Sequence, residues 1–276
     1  MACREKVVIM GIPFDNLDID QAVDRVFHFI DEYPQDNRPR LVATVNVDFL
    51  INTHSWKLNR SRHPELLEIL RNADLVTADG MPIVWASKLM GTRLKQRVAG
   101  ADLVPKLAEQ AAKRKKSIFF LGGREGIAEM AAQTLKSKHP DLIISGALSP
   151  VVHVEGQELL WVERDDLPIV NTINASGADI LLIGFGNPKQ ELWFHRNKNK
   201  LNVPVSIGIG GTYDFIVGTV SRAPAWMQNS GLEWIYRLTQ DPKRLVKRYF
   251  IDFFRYGYSI VPTILYYQYL KFTRGS

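Results

Sequence analysis

The sequence predicts an α/β protein, a Rossmann-like parallel sheet flanked by helices, with a helical appendage at its carboxyl end. Three observations carry this. The run Ile180–Phe185 is continuously apolar, and Ser117–Leu121 and Val205–Ile209 read as buried strands, as expected of strands covered on both faces. Segments with helically spaced apolar residues alternate with the strands, which implies a sheet covered on both sides. Five strands run directly into polar or Gly-rich sequence: Thr44–Asp48, Thr77–Gly80, Gly122–Gly126, Gly184–Glu191 and Gly208–Asp214. Ligands of open parallel sheets bind beyond the carboxyl ends of the strands, where such segments lie.

In chain order, Val7–Gly11 is a short strand, and Asp20–Glu32 a helix with Ala22, Val23, Val26, Phe27 and Ile30 at helical spacing. Leu41–Val45 is the next strand, followed by a helix at Pro64–Asn72, a short strand at Leu75–Thr77, and helices at Met81–Met90 and Ala101–Lys115. The strand Ser117–Leu121 leads to the helix Glu125–Lys138, the strand Leu142–Ser145 and the helix Asp165–Ala175. Ile180–Phe185, the helix Lys189–Asn197 and Val205–Ile209 complete the sheet domain, placed at residues 1–220. Residues 221–276 form the appendage. Leu232–Leu238 and Lys243–Phe254 are expected helices rich in aromatics and arginine, and Tyr258–Phe272 is apolar and aromatic, with Pro262 expected to kink it. Ser55–His63, rich in Lys, Asn, Arg and Ser, reads as a surface loop.

Composition excludes several classes. With 276 residues, 46% apolar and 23% charged, the chain can bury a core without staples. Its single cysteine, Cys3, rules out an internal disulfide and fits a reducing compartment. No stretch of about 18 apolar residues offers a transmembrane helix, and the amino end lacks the apolar stretch of a signal peptide. The formal charge of +6 resides in the tail: from Arg222 onward nine Lys/Arg face three acids, whereas the first 221 residues balance. A neutral body with a basic tail points to an anionic partner.

Each strand end has a chemical and an architectural reading. Asp79, before Gly80, could serve as a general base or could cap the helix that starts at Met81. Thr44 and Asn46 project to the same side of a strand end and could hold a sugar or simply end the strand. In Gly184-Phe185-Gly186-Asn187-Pro188-Lys189-Gln190-Glu191 the glycines permit close backbone approach, and a helix N-terminus offers N–H groups to a diphosphate. Lys189 and Gln190 add donors. Gly122-Gly123 and the run Gly208 to Asp214, with Gly210, Gly211 and Asp214, follow the same logic. The spacing meets neither the dinucleotide fingerprint nor a P-loop, so a dehydrogenase and a P-loop NTPase are unsupported. Asp18-Ile19-Asp20 looks like a metal-binding D-x-D, but Asp18 with Gln21 reads as a helix cap, and no histidine or cysteine spacing suits a metal. Glu191 and His195 share a helix face and suggest an intrahelical pair. Arg97, at a helix entrance, could hold an anion or face solvent.

Taken in order, Thr44-Val45-Asn46, Ala73 to Gly80, Arg97-Val98-Ala99-Gly100, Phe120 to Gly123, Gly184 to Glu191, Gly208 to Phe215, Ser221 to Pro224, Glu233 to Leu238 and Pro242-Lys243-Arg244 resemble the WecG/TagA/CpsF glycosyltransferases. The resemblance spans about residues 7 to 250. It implies an inverting transfer, without a metal or other cofactor, from a UDP-sugar to a sugar on a polyprenyl diphosphate, in bacterial surface-polysaccharide synthesis. By position it makes Asp79 the general base. Thr44, Asn46 and Gln190 become pocket residues and Arg97 a pocket cation, while Arg237, Arg244 and either Lys247 or Arg248 close over the diphosphate. UDP-N-acetylmannosamine, its uronic acid and UDP-glucose are the permitted donors. Gly80, Gly122, Gly123, Gly184, Gly186, Lys189, Glu191, Gly210, Gly211 and Asp214 complete the expected substrate site. The basic, aromatic tail suits an anionic membrane surface, which places the protein on the cytoplasmic side of the membrane, peripherally bound. No nucleic-acid motif occurs, and a homo-oligomer stays open. A UDP-sugar-binding protein without catalysis is the competing reading. The Ser55–Arg62 loop looks like an insertion relative to the family pattern.

Overall fold

The structure, a computed structural model, describes residues 6–54, 63–155, 158–162, 166–240 and 242–274. For residues 152–155, 158–162, 229, 243–245, 247–249, 271 and 274 only the backbone is described. The Ser55–Arg62 insertion lies outside these residues.

Six parallel strands form the central sheet: β3 (Arg40–Val45), β4 (Leu75–Ala78), β5 (Ser117–Gly122), β6 (Ile143–Leu148), β9 (Ile180–Gly184) and β10 (Val205–Gly208), in the order β4-β3-β10-β9-β5-β6. As expected of strands covered on both faces, every residue of β3, β4, β5 and β10 is buried. Two antiparallel hairpins flank the sheet, one pairing β1 (Lys6–Ile9) with β2 (Ile12–Asp15), the other β7 (Val152–Glu155) with β8 (Glu158–Val162).

Helices divide the core into two layers. On one face pack α2 (Val47–Thr53), α3 (Pro64–Arg71), α4 (Met81–Leu89), α7 (Leu167–Ala175) and α8 (Lys189–Asn197), contributing Phe49, Leu66, Ile83, Ile173 and Trp193. On the other pack α1 (Ile19–Asp36), α5 (Gly100–Lys113), α6 (Ile127–Lys138) and α9 (Thr212–Val217), contributing Phe27, Leu107, Ala131 and Tyr213. The chain leaves β3 through α2 and β4 through α4 on the first face, and leaves β10 through α9 on the second. The carboxyl ends of β3, β4 and β10 therefore flank a switch-point crevice.

The expected elements are present, with ends that shift by a turn or less. Asp18 completes a full capping box with Gln21, and Asp20 is paired with Lys106, so the D-x-D is occupied in starting and bracing α1. The tail comprises α10 (Ala225–Asn229), α11 (Glu233–Gln240) and α12 (Pro242–Arg274). Pro262 does not divide α12, which is a single helix of 33 residues. The ring removes one hydrogen bond, but packing on both sides of it holds the helix: Ile260 is buried in the core, Tyr256, Ile264 and Tyr267 pack against it, and Tyr256 Oη donates to Pro82 O at 3.0 Å.

Candidate active site

Asp79 follows β4 directly, and its N–H donates to Val45 O at 2.8 Å, which fixes it at the crevice between β3 and β4. It does not cap α4; Gly80 occupies that position. The half-buried carboxylate instead accepts from Gly100 N at a long 3.4 Å. Burial pushes its pKa from 3.8 up to about 6, against the pull of Arg97 and the Gly100 N–H, with Glu233 and Asp102 adding to the rise. A carboxylate poised there is suited to take up a proton near neutral pH.

Beside Asp79 lies a closed set of ion pairs. Arg97 donates to Asp102 Oδ2 at 2.7 Å and to Glu233 Oε2 at 3.3 Å. Arg222 reaches Asp102 Oδ1 at 2.9 Å and Glu233 Oε1 at 3.2 Å. Gln228 Oε1 accepts from both guanidinium groups, at 3.4 and 2.6 Å. Arg97 is thus a neutralised cation rather than an open one. A cavity of about 400 Å³ adjoins it, walled by Met81, Val84, Arg93, Lys95, Arg97 and Gln228 among others.

The Gly-rich strand ends form the crevice floor. Gly123 needs its left-handed backbone at φ +82°, and a Cβ there would come within 2.1 Å of Ile127. At Gly208 a Cβ would lie 2.6 Å from both Gln190 Nε2 and Glu191 Oε1. Gln190 and Glu191 are buried beneath this floor. Gln190 Oε1 accepts from Gly186 N at 3.2 Å and Gly210 N at 3.0 Å, tying the β9 and β10 loops together, while its Nε2 donates to Glu191 Oε1 at 2.7 Å. Glu191 therefore pairs with Gln190 and not with His195, and burial raises its pKa to about 8. Thr44 is also buried; its hydroxyl donates to Gly208 O at 2.8 Å. Asn46 caps α2 by accepting from Asp48 N at 3.0 Å. Asp214 binds Arg124 at 2.6 Å, toward the surface. Gly122 closes β5 and Gly184 closes β9, while Gly186 and the half-buried Lys189 stand at the entry to α8, and Gly211 caps α9.

Sequence reasoning missed four participants. Asp102, Arg222, Gln228 and Glu233 complete the ion set, yet they come from three separate segments. Tyr213, also unread, plugs the sheet: its hydroxyl donates to Leu182 O at 2.9 Å and accepts from Leu121 N at 3.1 Å. Among the expected tail cations, Arg237 stacks over the Phe215 ring at 5.1 Å, sharing it with Arg222 at 5.4 Å. Arg244, Lys247 and Arg248 belong to α12, but their side chains lie outside the described residues. The side of α12 away from the body carries exposed Phe250, Phe253, Phe254, Tyr258, Leu265 and Phe272. Among the described residues, no helix is long and apolar enough to cross a membrane.

A parallel α/β sheet with Gly-rich strand ends and a half-buried carboxylate at a switch-point crevice is the architecture of a nucleotide-binding α/β protein. The glycosyl transferase WecG/TagA/CpsF family model matches residues 7–268, and the chain belongs to that family. Its relatives include the N-acetylglucosaminyldiphosphoundecaprenol N-acetyl-beta-D-mannosaminyltransferases of Bacillus spizizenii (28% identical, covering 84% of each chain) and Bacillus subtilis (28% identical, covering 86% of this chain and 84% of the relative). The Staphylococcus aureus enzyme of the same name is also 28% identical, over 91% of both chains. The chain is a glycosyltransferase of that family.

Proposed function

We propose that this enzyme transfers a sugar from a UDP-sugar to a sugar carried on a polyprenyl diphosphate, with inversion at the anomeric carbon and without a metal. The relatives' names favour N-acetylmannosamine as the transferred sugar and a GlcNAc-diphosphoundecaprenol acceptor; the uronic acid and UDP-glucose are the competing donors. One observation carries the mechanism. Of the two strand-end carboxyls with raised pKa values, Glu191 is fully enclosed, whereas Asp79 opens to the crevice. Asp79 takes the proton of the acceptor hydroxyl as that oxygen attacks the anomeric carbon, and the bond from that carbon to UDP breaks on the opposite face. A single base and a single displacement give inversion. Backbone N–H groups at the strand ends and tail arginines balance the charge of the departing UDP, an electrostatic role of the oxyanion-hole kind.

The sheet domain at 1–220 holds the donor, and the appendage from 221 closes the site and meets the bilayer at the cytoplasmic face. Its exposed aromatics and basic residues suit the lipid–water interface, each basic residue contributing roughly 1 kcal/mol against anionic lipid. Arg93 and Lys95, beside Arg97, suit the acceptor diphosphate.

The test is UDP release from purified protein supplied with a short-chain polyprenyl-diphosphate GlcNAc and a panel of UDP-sugars, with and without EDTA. Acceptor-dependent release from one donor, unchanged by EDTA and abolished in Asp79→Asn with UDP binding retained, is expected. Near-normal turnover by Asp79→Asn removes the base. UDP binding without release, even with membrane extract as acceptor, replaces the enzyme by a binding protein.

A further inference from the structure

The ion set beside Asp79 joins the two parts of the chain. Arg97 and Asp102 belong to the body, at the entrance and first turn of α5; Arg222, Gln228 and Glu233 belong to the tail. Each acid bridges both arginines, so two cations and two anions close a neutral ring. All four side chains are largely shielded, with exposures between 13% and 32%, so water screens them little. Glu233 is the acid that the tail supplies to this ring.

We propose that Glu233 is a positioning residue for the transfer step: from α11 it holds Arg97 in place beside Asp79, with Arg222 on its far side, so that docking of the tail sets the charge that the base faces. The inference rests on Asp79 as the base. The charged groups facing Asp79 are Arg97 from the segment before α5, Asp102 from α5 and Glu233 from α11, with Arg222 behind them and the Gly100 N–H at 3.4 Å. Arg97 favours the ionised carboxylate, and Glu233 and Asp102 oppose it. With α11 docked, two acids share the field of two arginines and Asp79 keeps a high proton affinity. With Glu233 withdrawn, Arg97 retains Asp102 as its sole partner in the ring, and Asp79 becomes a weaker base. The same residue thus couples closure of the tail to the strength of the base.

The experiment is the pH profile of kcat/KM, from pH 4.5 to 9, for the full chain and for Glu233→Gln, Glu233→Ala and the double variant Arg97→Gln/Glu233→Gln, with Asp79→Asn as control. Glu233→Gln keeps the shape and removes the charge. Its acid limb is expected to move down by about half a pH unit, which at pH 5 raises the fraction of its own plateau about threefold over wild type. Removing Arg97 as well is expected to bring the limb back up. KM for the UDP-sugar is expected to hold in Glu233→Gln while kcat falls. An unmoved limb in Glu233→Gln, with activity reduced equally at every pH, overturns the inference while leaving the base intact, provided Asp79→Asn is inactive. If Glu233→Ala fails to fold, the Glu233→Gln profile still decides. Turnover by Asp79→Asn would remove the base and this inference with it.

Discussion

Replacing Asp79 with Asn should make the protein more stable while stopping transfer. The half-buried carboxylate is raised from 3.8 to about 6, chiefly by burial, so the folded state binds its proton more tightly than the unfolded chain does. The sign follows from linkage. Stability from this group is fully present below pH 3.8 and is lost as pH rises through 6, because ionised Asp79 is worse solvated in the fold. The shift from 3.8 to about 6 corresponds to at most about 3 kcal/mol of penalty above pH 6. Asn keeps the size and the acceptor oxygen for Gly100 N–H but carries no charge. Thermal unfolding at pH 7.5 should therefore show a melting temperature higher by about 2–8 °C for the variant, from about 1–3 kcal/mol at the sensitivity of a chain this size. At pH 4 the two proteins should melt nearly together. Differential scanning fluorimetry across pH 4–8, checked by urea unfolding at both ends, measures this directly. A variant equally or less stable than wild type at pH 7.5, or a difference that ignores pH, would refute the assignment of strain to the ionised carboxylate.

Three other outcomes follow, two from the crevice and one from the opposite end of the sheet. Glu191→Gln should match wild type within about 1 kcal/mol at pH 4, where the carboxyl is mostly protonated in both the folded and the unfolded chain. It should exceed wild type at pH 9.5, because Glu191 loses its stabilising contribution as pH rises through about 8; urea midpoints at the two pH values check it. Gly208→Ala forces a methyl within 2.6 Å of Gln190 Nε2 and Glu191 Oε1, both enclosed, and should cost about 1–3 kcal/mol in urea unfolding, with reduced UDP affinity by calorimetry as the β9 and β10 loops part. Asp179→Ala leaves Ser117 N–H, now bonded at 2.8 Å, without its acceptor and should cost about 1–3 kcal/mol while the pH limb of turnover stays in place.

The sheet was legible because continuous apolar runs such as Ile180–Gly184 have no other use in a chain of this composition. The two hairpins were not. Four-residue strands such as Ile12–Asp15 offer no periodicity, and the turn at Met10-Gly11, with φ of +48° and +75°, carries half of its signal on a methionine. Asp79 could be picked out by its place after a strand, but nothing local decided between base and cap; the fold gives the cap position to Gly80 and turns the carboxylate to the Gly100 N–H. Gln190 and Glu191 were expected in the substrate site because polar residues in a Gly-rich loop suit a ligand, and the fold buries both. Their direct junction with Leu192, Trp193 and Phe194, all buried, was the sign that this helix starts inside the protein. The ion ring was invisible, since Asp102 and Glu233 are linked only through the folded chain.

The polarity of the sheet separates structural acids from the proposed base. Asp74 precedes β4 and Asp179 precedes β9, and each accepts from a residue at the start of the neighbouring strand: Leu41 N at 3.0 Å and Ser117 N at 2.8 Å. Each also holds a cation, Arg38 at 2.6 Å and Lys116 at 3.3 Å. At the amino ends of parallel strands the N–H groups of the first residues point outward, and a carboxylate there is fully engaged in closing the sheet. At the carboxyl ends the strands themselves expose carbonyl oxygens, and N–H groups come only from the loops and helix starts beyond them, such as Gly100 for Asp79. Asp79 stands one residue beyond β4, with a single N–H at 3.4 Å and a guanidinium already shared between two other acids. A carboxylate well served by donors is a poor base, because every hydrogen bond it accepts stabilises the ionised form. At this end of the sheet Asp79 is left short of donors, and the placement that makes it costly to the fold is the placement that suits it to the role of base proposed for it.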